Sequence, residues 1–240
     1  MIGAIVIIPT YNEIENIEAI IKAVFSQSDV VHILVVDDNS PDLTAQEVKR
    51  LQKDFPNRLF LEERQEKSGL GTAYIHGFKW CLAKDYLFIF EMDADFSHDP
   101  NDLQRLYNTC AIEGADLSIG SRYITGVNVV NWPMGRVLMS YCASKYVRFI
   151  TGMKISDTTA GYVCYKRAVL EAINLDAIKF IGYAFQIEMK FKAYLKKFKI
   201  IEVPVIFTDR TKGVSKLSGG IISEAVFGVI SMKLKSLFKK

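Results

Sequence analysis

Histidine and cysteine are scarce in this chain, with three and four copies in 240 residues. The cysteines, Cys81, Cys110, Cys142 and Cys164, form no C-x-x-C pair, and no His/Cys cluster has zinc-site spacing. Each lies in an apolar or helical stretch, so buried free thiols of a reducing compartment are expected. No run approaches the ~20 apolar residues of a membrane-spanning helix. The N-terminus, MIGAIVIIPTYNE, lacks a basic segment ahead of its short apolar run and reads as a first strand, not a secretion signal. A net charge of only +3 does not imply nucleic acid as a partner. No internal repeat, low-complexity tract or Pro-rich linker is present. A cytoplasmic globular protein is expected, and half of its residues are hydrophobic.

Strand-like apolar runs alternate with helical periodicity. Strands are predicted at Ala4–Ile8, Ile33–Val36, Leu59–Glu62, Tyr86–Met92 and Leu117–Gly120. Helices are predicted at Ile14–Phe25, Leu43–Asp54, Thr72–Ala83 and Pro100–Glu113. A polar loop over Ser121–Asn131 breaks this rhythm. Helix Pro133–Ile150, strand Tyr162–Lys166, helix Phe185–Lys197, strand Ile200–Phe207 and helix Ile221–Lys240 follow. The alternation predicts an α/β fold with a mainly parallel mixed sheet flanked by helices. The runs AIVII and ILVV suit strands buried on both faces. One domain over 1–220 and an amphipathic helix over 221–240 are expected.

The segment FIFEMDADFSHDP, Phe88–Pro100, starts as a buried strand and ends acidic. Residues two apart in an extended segment point the same way, so Asp93, Asp95 and Ser97 can face one space. In open parallel sheets ligands bind at the carboxyl edge of the strands. Two carboxylates and a hydroxyl suit Mg2+ or Mn2+. Asp99-Pro100 is an ordinary helix start, and His98 reads equally as a ligand or as a packed loop residue.

Other strand ends add to this edge. PTYNE, Pro9–Glu13, has the Thr-x-x-Glu spacing of a capping box, which leaves Tyr11 unexplained, and an aromatic just past a strand end can cover a flat base. In DDNSPD, Ser40-Pro41 suits a helix start, and one of Asp37 and Asp38 is expected to contact a ligand such as a ribose or base. KSGLGTA, Lys67–Ala73, is a phosphate loop or simply a tight turn, and it lacks the P-loop's Gly-Lys-Ser/Thr. Arg122, just past a buried strand, can grip phosphate oxygens with its fork or stand in a surface salt bridge. An aromatic, acids and an arginine together describe a nucleotide diphosphate held through a divalent cation. A nicotinamide enzyme is disfavoured, because PTYNE follows the first strand where G-x-G-x-x-G would be needed.

PTYNE, VVDDNSPD, GLGTA, MDADFSHDP, GSRY and RTKGVSKL, in this order, resemble the dolichyl- or polyprenyl-phosphate mannosyltransferases of the inverting glycosyltransferase family 2. The resemblance covers nearly the whole chain and implies the nucleotide-diphospho-sugar transferase (GT-A) fold. It implies GDP-mannose as donor and a polyprenyl or dolichyl phosphate as acceptor. It places Pro9, Tyr11, Glu13, Val36 and Asp38 around guanosine, Asp93 and Ala94 near the ribose and diphosphate, and Asp95 on the metal. Some relatives carry Gln where Ser97, the third metal ligand, stands here. Arg122 is implied to face the donor or acceptor phosphate, and Arg136 the acceptor phosphate. Arg210 and Lys216 are implied to close over the diphosphate, and Gln186 lies where some relatives carry Lys. Asp93, Asp95 and Arg122 are thereby the expected catalytic residues.

A phosphate acceptor is already anionic near neutral pH, so it needs positioning and screening more than a general base. Arg122, Arg136, Arg210 and Lys216 are therefore expected to form a positive rim. The tail IISEAVFGVISMKLKSLFKK carries an apolar stripe beside lysines, which fits a membrane surface with anionic lipids or a helix packed on the core. A peripheral position at the inner face of a membrane follows from the first reading, with room for a separate membrane subunit as partner. Two alternatives are a UDP-glucose-dependent polyprenyl-phosphate glucosyltransferase and a non-catalytic nucleotide-binding scaffold, the latter disfavoured by the complete set of polar site residues.

Overall fold

The computed structural model describes residues 1–182, 184–210 and 221–238, with side chains of the last segment described from Val226 onward. Its seven-stranded sheet has the order β3-β2-β1-β4-β7-β5-β8. The strands are β1 (Ala4–Thr10), β2 (His32–Asp37), β3 (Leu59–Glu63), β4 (Phe88–Glu91), β5 (Leu117–Ser121), β7 (Val163–Lys166) and β8 (Ile200–Pro204). All run in one direction except β7, which is antiparallel to both of its neighbours, β4 and β5.

Alternating residues of the central strands feed two cores. Val6 and Ile8 of β1 and Ile33 and Val35 of β2 face one side. There they meet α1 (Ile17–Phe25), α2 (Thr44–Leu51) and α4 (Leu103–Ala111). Ile5, Ile7, Leu34 and Val36 face the other side, against α3 (Leu70–Leu82), α6 (Arg167–Ala172) and α7 (Ala184–Leu195). Helices α5 (Met134–Thr151) and α8 (Ile221–Phe238) lie against each other, and α8 also meets α7. Val147 and Val229 anchor this pair in the second core. No helix among the described residues is long and apolar enough to cross a membrane.

Several local expectations give way to tertiary contacts. Thr10 does not cap a helix, because its Oγ1 donates to Asp37 Oδ1 at 2.7 Å and α1 starts only at Ile17. Ser40-Pro41 does not open α2. Leu43 precedes that helix in the left-handed region (φ 72°), and Asp42 accepts from Thr44 N at 3.1 Å and Ile14 N at 3.0 Å. The expected strand Ile200–Phe207 divides into β8 and β9 (Phe207–Thr208), and β9 pairs in parallel with β6 (Val129–Val130) from the supposed loop. Asp99 does cap as expected, accepting from Asn101 N at 2.9 Å with Pro100 in the first turn. Of the four cysteines, Cys142 is exposed on α5 and the other three are buried free thiols.

Candidate active site

The reversed strand β7 starts where β4 and β5 end, since Val163 is paired with both Glu91 and Ile119. The loop leading into it, residues 157–162, therefore joins the carboxyl ends of β1, β2, β4 and β5 at one edge. The β6/β9 ladder stands beside this edge. It ties the segment after β5 to Asp209, whose N–H donates to Val130 O at 3.0 Å.

Asp95 is buried and accepts from Ser97 N at 3.1 Å, which shapes the turn. Its Oδ2 lies 2.7 Å from Arg210 Nη2, and Arg210 Nη1 is 4.0 Å from Glu13 Oε1. Burial, then the Asp95 charge, hold the Asp93 carboxyl well above the usual carboxylate range, although Arg210 opposes them. Tyr74 Oη approaches Asp93 Oδ1 at 3.5 Å. Ser97 Oγ is buried without a hydrogen-bond partner among the described residues. Two mutually repelling carboxylates, a guanidinium drawn to one of them and an unpaired hydroxyl fit a hard divalent cation. Among the described residues no cluster of three or more His, Cys, Asp and Glu could hold a metal, and the expected set has only two such members, Asp93 and Asp95, beside the Ser97 hydroxyl. Ala94 is buried between the two aspartates.

His98 proves to be a packed support. Its Nδ1 accepts from Asp93 N at 3.1 Å, and its ring stacks on Tyr162 at 4.8 Å. Burial pushes the imidazole well below its ordinary value, so it stays neutral with the proton on Nε2.

The geometry separates Asp37 from Asp38. Asp37 is consumed by the loop, accepting from Thr10 Oγ1, Ser40 N at 2.8 Å and Ser40 Oγ at 2.6 Å. Asp38 stands 3.0 Å from Arg64 Nε as an ion pair, while its Oδ1 lacks hydrogen-bond geometry. Burial raises the Asp38 carboxyl, against the pull of Arg64. Arg64 is itself steadied, donating to Thr72 Oγ1 at 2.9 Å. Beside this pair, Lys67 Nζ lies 4.3 Å from the centre of the half-buried Tyr11 ring. Pro9 is the last but one residue of β1, Val36 is buried in β2, and buried Glu13 accepts from Asn16 Nδ2 at 3.0 Å. The Gly-rich turn is a packing device: a Cβ at Gly71 would lie 2.9 Å from Phe180 O and Phe185 Cβ, and Gly71 N donates to Ile181 O at 2.8 Å.

The Arg122 fork closes on buried Asp157, with Nε to Oδ2 at 2.6 Å and Nη2 to Oδ1 at 2.7 Å. Nη2 also donates to Thr159 Oγ1 at 2.9 Å. This is a buried ion pair and not a surface bridge. Burial opposes both charges, yet mutual attraction and hydrogen bonding raise Arg122 and lower Asp157. Arg136 pairs with Asp209 at 2.9 Å, next in the chain to Arg210. Trp132 lies between the two sides, 4.1 Å from the Arg136 guanidinium and 5.4 Å from that of Arg122. Arg122, Arg136 and Arg210 thus lie at one edge, each already matched to a carboxylate. Lys216 lies outside the described residues.

Gln186 is buried on α7, where its Oε1 accepts from Lys190 Nζ at 3.2 Å. Lys190, fully buried, also donates to Ala160 O at 2.6 Å. Burial drives Lys190 downward and its neighbour Glu91 upward. The Gln186 amide favours the Glu91 charge, but Gln186 Nε2 and Glu91 Oε1 lack a well-formed hydrogen bond. Arg64, Asp157, Lys190 and Asp209 escaped the sequence reading. Each has a partner far away in the chain, and none carries a periodic or motif signal.

The chain matches the glycosyl transferase family 2 model over residues 5–173. It is 48% identical over 225 residues to the polyprenol monophosphomannose synthase of Mycolicibacterium smegmatis, covering 94% of this chain and 84% of that protein. It is 44% identical to the undecaprenyl-phosphate mannosyltransferase of Micrococcus luteus, covering 93% and 90%. Among solved structures, glucosyl-3-phosphoglycerate synthase from Mycobacterium tuberculosis, in complex with Mn2+, UDP and its glucosylated product, superposes with a TM-score of 0.68 at 17% identity, covering 97% of this chain and 78% of that one. A mannosyltransferase from Pyrobaculum calidifontis in complex with GDP-Man and Mn2+ superposes at 0.62 and 20% identity, covering 99% and 64%. These two likenesses show the fold alone, which is the GT-A fold. Extending over most of both partners, the sequence matches establish that the chain is a glycosyltransferase and belongs to glycosyltransferase family 2.

Proposed function

We propose that this enzyme transfers mannose from GDP-mannose to a polyprenyl (dolichyl-type) phosphate with inversion, yielding polyprenyl phosphate mannose and GDP. The observation that carries the chemistry is the meeting at one sheet edge of Asp93 and Asp95 with Arg210, Arg136 and Arg122. The names of the relatives at 48% and 44% identity suggest mannose and a polyprenyl phosphate, and GDP-Man is bound by the mannosyltransferase of similar fold.

In this reading Tyr11 covers the guanine, with Pro9, Glu13 and Val36 around the nucleoside. Asp38, steered by Arg64, accepts from the base or ribose. Asp93, Asp95 and Ser97 would hold Mg2+ or Mn2+, which when bound offsets charge on the leaving diphosphate. Ala94 and Gln186 line the donor pocket, and Arg210, with Lys216, screens the diphosphate. An acceptor phosphate oxygen attacks the anomeric carbon from the opposite face. The bond from that carbon to the diphosphate breaks, and its electron pair leaves with GDP. Arg136, with Arg122 behind it, orients the acceptor phosphate, so no side chain need remove a proton. Fixed donors aimed at developing charge act strongly in such a partly desolvated site.

Residues 1–220 form the catalytic unit in this proposal, and α8 rests it on a membrane. Phe227, Leu234, Leu237 and Phe238 of α8 are exposed beside Lys233 and Lys235, and Phe149 of α5 is 87% exposed. Such a surface suits peripheral contact with anionic lipid. The deciding experiment is a nucleotide-sugar panel with a short-chain polyprenyl phosphate. GDP release and a mannolipid are expected. UDP release from UDP-glucose would install the glucosyl alternative, and nucleotide binding without turnover of any donor would install the scaffold.

A further inference from the structure

We propose that Trp132 is a phosphate ligand, its indole Nε1–H donating to an oxygen of the acceptor's phosphate monoester. This rests on the acceptor reading above and deepens it, adding a neutral donor to a site otherwise built of arginines.

Trp132 Nε1 is buried and has no hydrogen-bond partner among the described residues. An indole nitrogen can only donate, and a buried donor left unpaired is costly. Among the described residues, the groups seen against its ring are two guanidiniums and the Phe207 ring, none of which accepts a proton. The Arg136 guanidinium lies 4.1 Å from the ring centre and that of Arg122 5.4 Å, and guanidiniums are donors only. The nearby carboxylates are engaged, Asp157 by Arg122 and Asp209 by Arg136. A partner from outside the chain would have to carry acceptor atoms and tolerate two cations. A phosphate monoester meets both demands, and its several oxygens can address donors lying on different sides.

The carboxylates also explain why a neutral donor matters. With each arginine already matched, bare charge attraction at this shelf is weakened, and directed hydrogen bonds gain weight. The indole is held for such a role. Phe207 meets the Trp132 ring edge-on at 5.2 Å and the His98 ring at 5.6 Å. His98 in turn accepts from Asp93 N. The donor is thus linked through two ring contacts to the backbone of the acidic turn, on the side where the sugar must be exchanged. Neighbouring Asn131 and Pro133 are exposed.

The chain has two tryptophans, so Trp80, packed at 6.3 Å from Tyr86, is an internal control for 15N-indole NMR. The full-length protein is titrated with a short-chain polyprenyl phosphate, the matching alcohol, inorganic phosphate and GDP. The Trp132 indole proton is expected to move downfield, saturably, with the lipid phosphate, and to stay in place with the alcohol, while Trp80 is still. A lipid-phosphate affinity at least tenfold above that for inorganic phosphate supports the headgroup assignment. Equal affinities would overturn it in favour of free phosphate, and a Trp132 signal indifferent to both would overturn the proposal. In steady-state assays Trp132→Phe, which keeps a ring for the arginines, should raise KM for the lipid phosphate about tenfold and leave KM for GDP-mannose within twofold. Both constants unchanged would contradict the idea. If no mannose is transferred at all, the functional reading fails, and the NMR titration still decides the role of Trp132.

Discussion

Breaking the Arg122–Asp157 pair from one side is expected to cost the fold about 3–5 kcal/mol, the usual penalty for stranding a buried charge. Asp157 is 0% exposed and Arg122 7%, so water cannot replace the missing partner. The carboxylate takes three hydrogen bonds from Arg122, through N, Nε and Nη2. Arg122→Met keeps most of the stem, and Asp157→Asn keeps the shape while removing the charge. For a domain of this size about 1 kcal/mol corresponds to 2–4 °C, so each single variant should melt roughly 6–20 °C lower. The double variant strands no charge and should be less destabilised than the sum, with a coupling of at least about 2 kcal/mol. Urea unfolding of all four proteins measures the cycle. The pH dependence has a definite sign. The Asp157 carboxyl is lowered in the folded state, so its contribution is present above the unfolded value near ~3.9 and fades as pH falls through the folded one. Asp157→Asn should lose that part of the acid limb. Single variants within about 1 kcal/mol of wild type, or additive effects, would refute the reasoning.

The other predictions concern packing, the base site and the membrane. Gly71→Ala should destabilise by about 1–3 kcal/mol despite alanine's better helix propensity, because the new methyl meets Phe180 O and Phe185; an unchanged urea midpoint counts against the close approach. Arg64→Leu leaves the Asp38 carboxylate unpaired and should weaken GDP binding about tenfold, roughly 1.4 kcal/mol. The loss should be larger at pH 5.5 than at pH 8, because the Asp38 carboxyl is already raised and gains a proton more readily without Arg64; calorimetry with equal affinity in both proteins rejects this. Deleting residues 221–240 should reduce sedimentation with anionic vesicles, and undiminished binding would take α8 out of the membrane account.

Much of this architecture was readable wherever burial is two-sided. The runs AIVII and ILVV became β1 and β2, and FIFE became β4, because a strand covered on both faces must be continuously apolar. Direction was hidden: nothing in YVCYK tells that β7 runs against its neighbours, and that reversal brings Asp157 and Ala160 to the edge. The two-residue ladder of β6 and β9 is too short for any periodicity. At the site, the acidic turn and the arginines were visible as residue types, but their pairing was not. Arg122 and Asp157 are separated by 35 positions, Arg136 and Asp209 by 73. Such partners follow from topology, which also redirected Thr10 from a helix cap to Asp37.

The most direct measurement is transfer of radiolabelled mannose from GDP-mannose to a short-chain polyprenyl phosphate, with Mn2+ or chelator, by wild type and Asp95→Ala. The wild type should form labelled lipid, lose the activity in chelator and regain it when Mn2+ is restored, while the variant, folded by circular dichroism, forms none. Undiminished labelling by the variant, or by the wild type under chelation, would contradict the assignment of this acidic edge to the reaction.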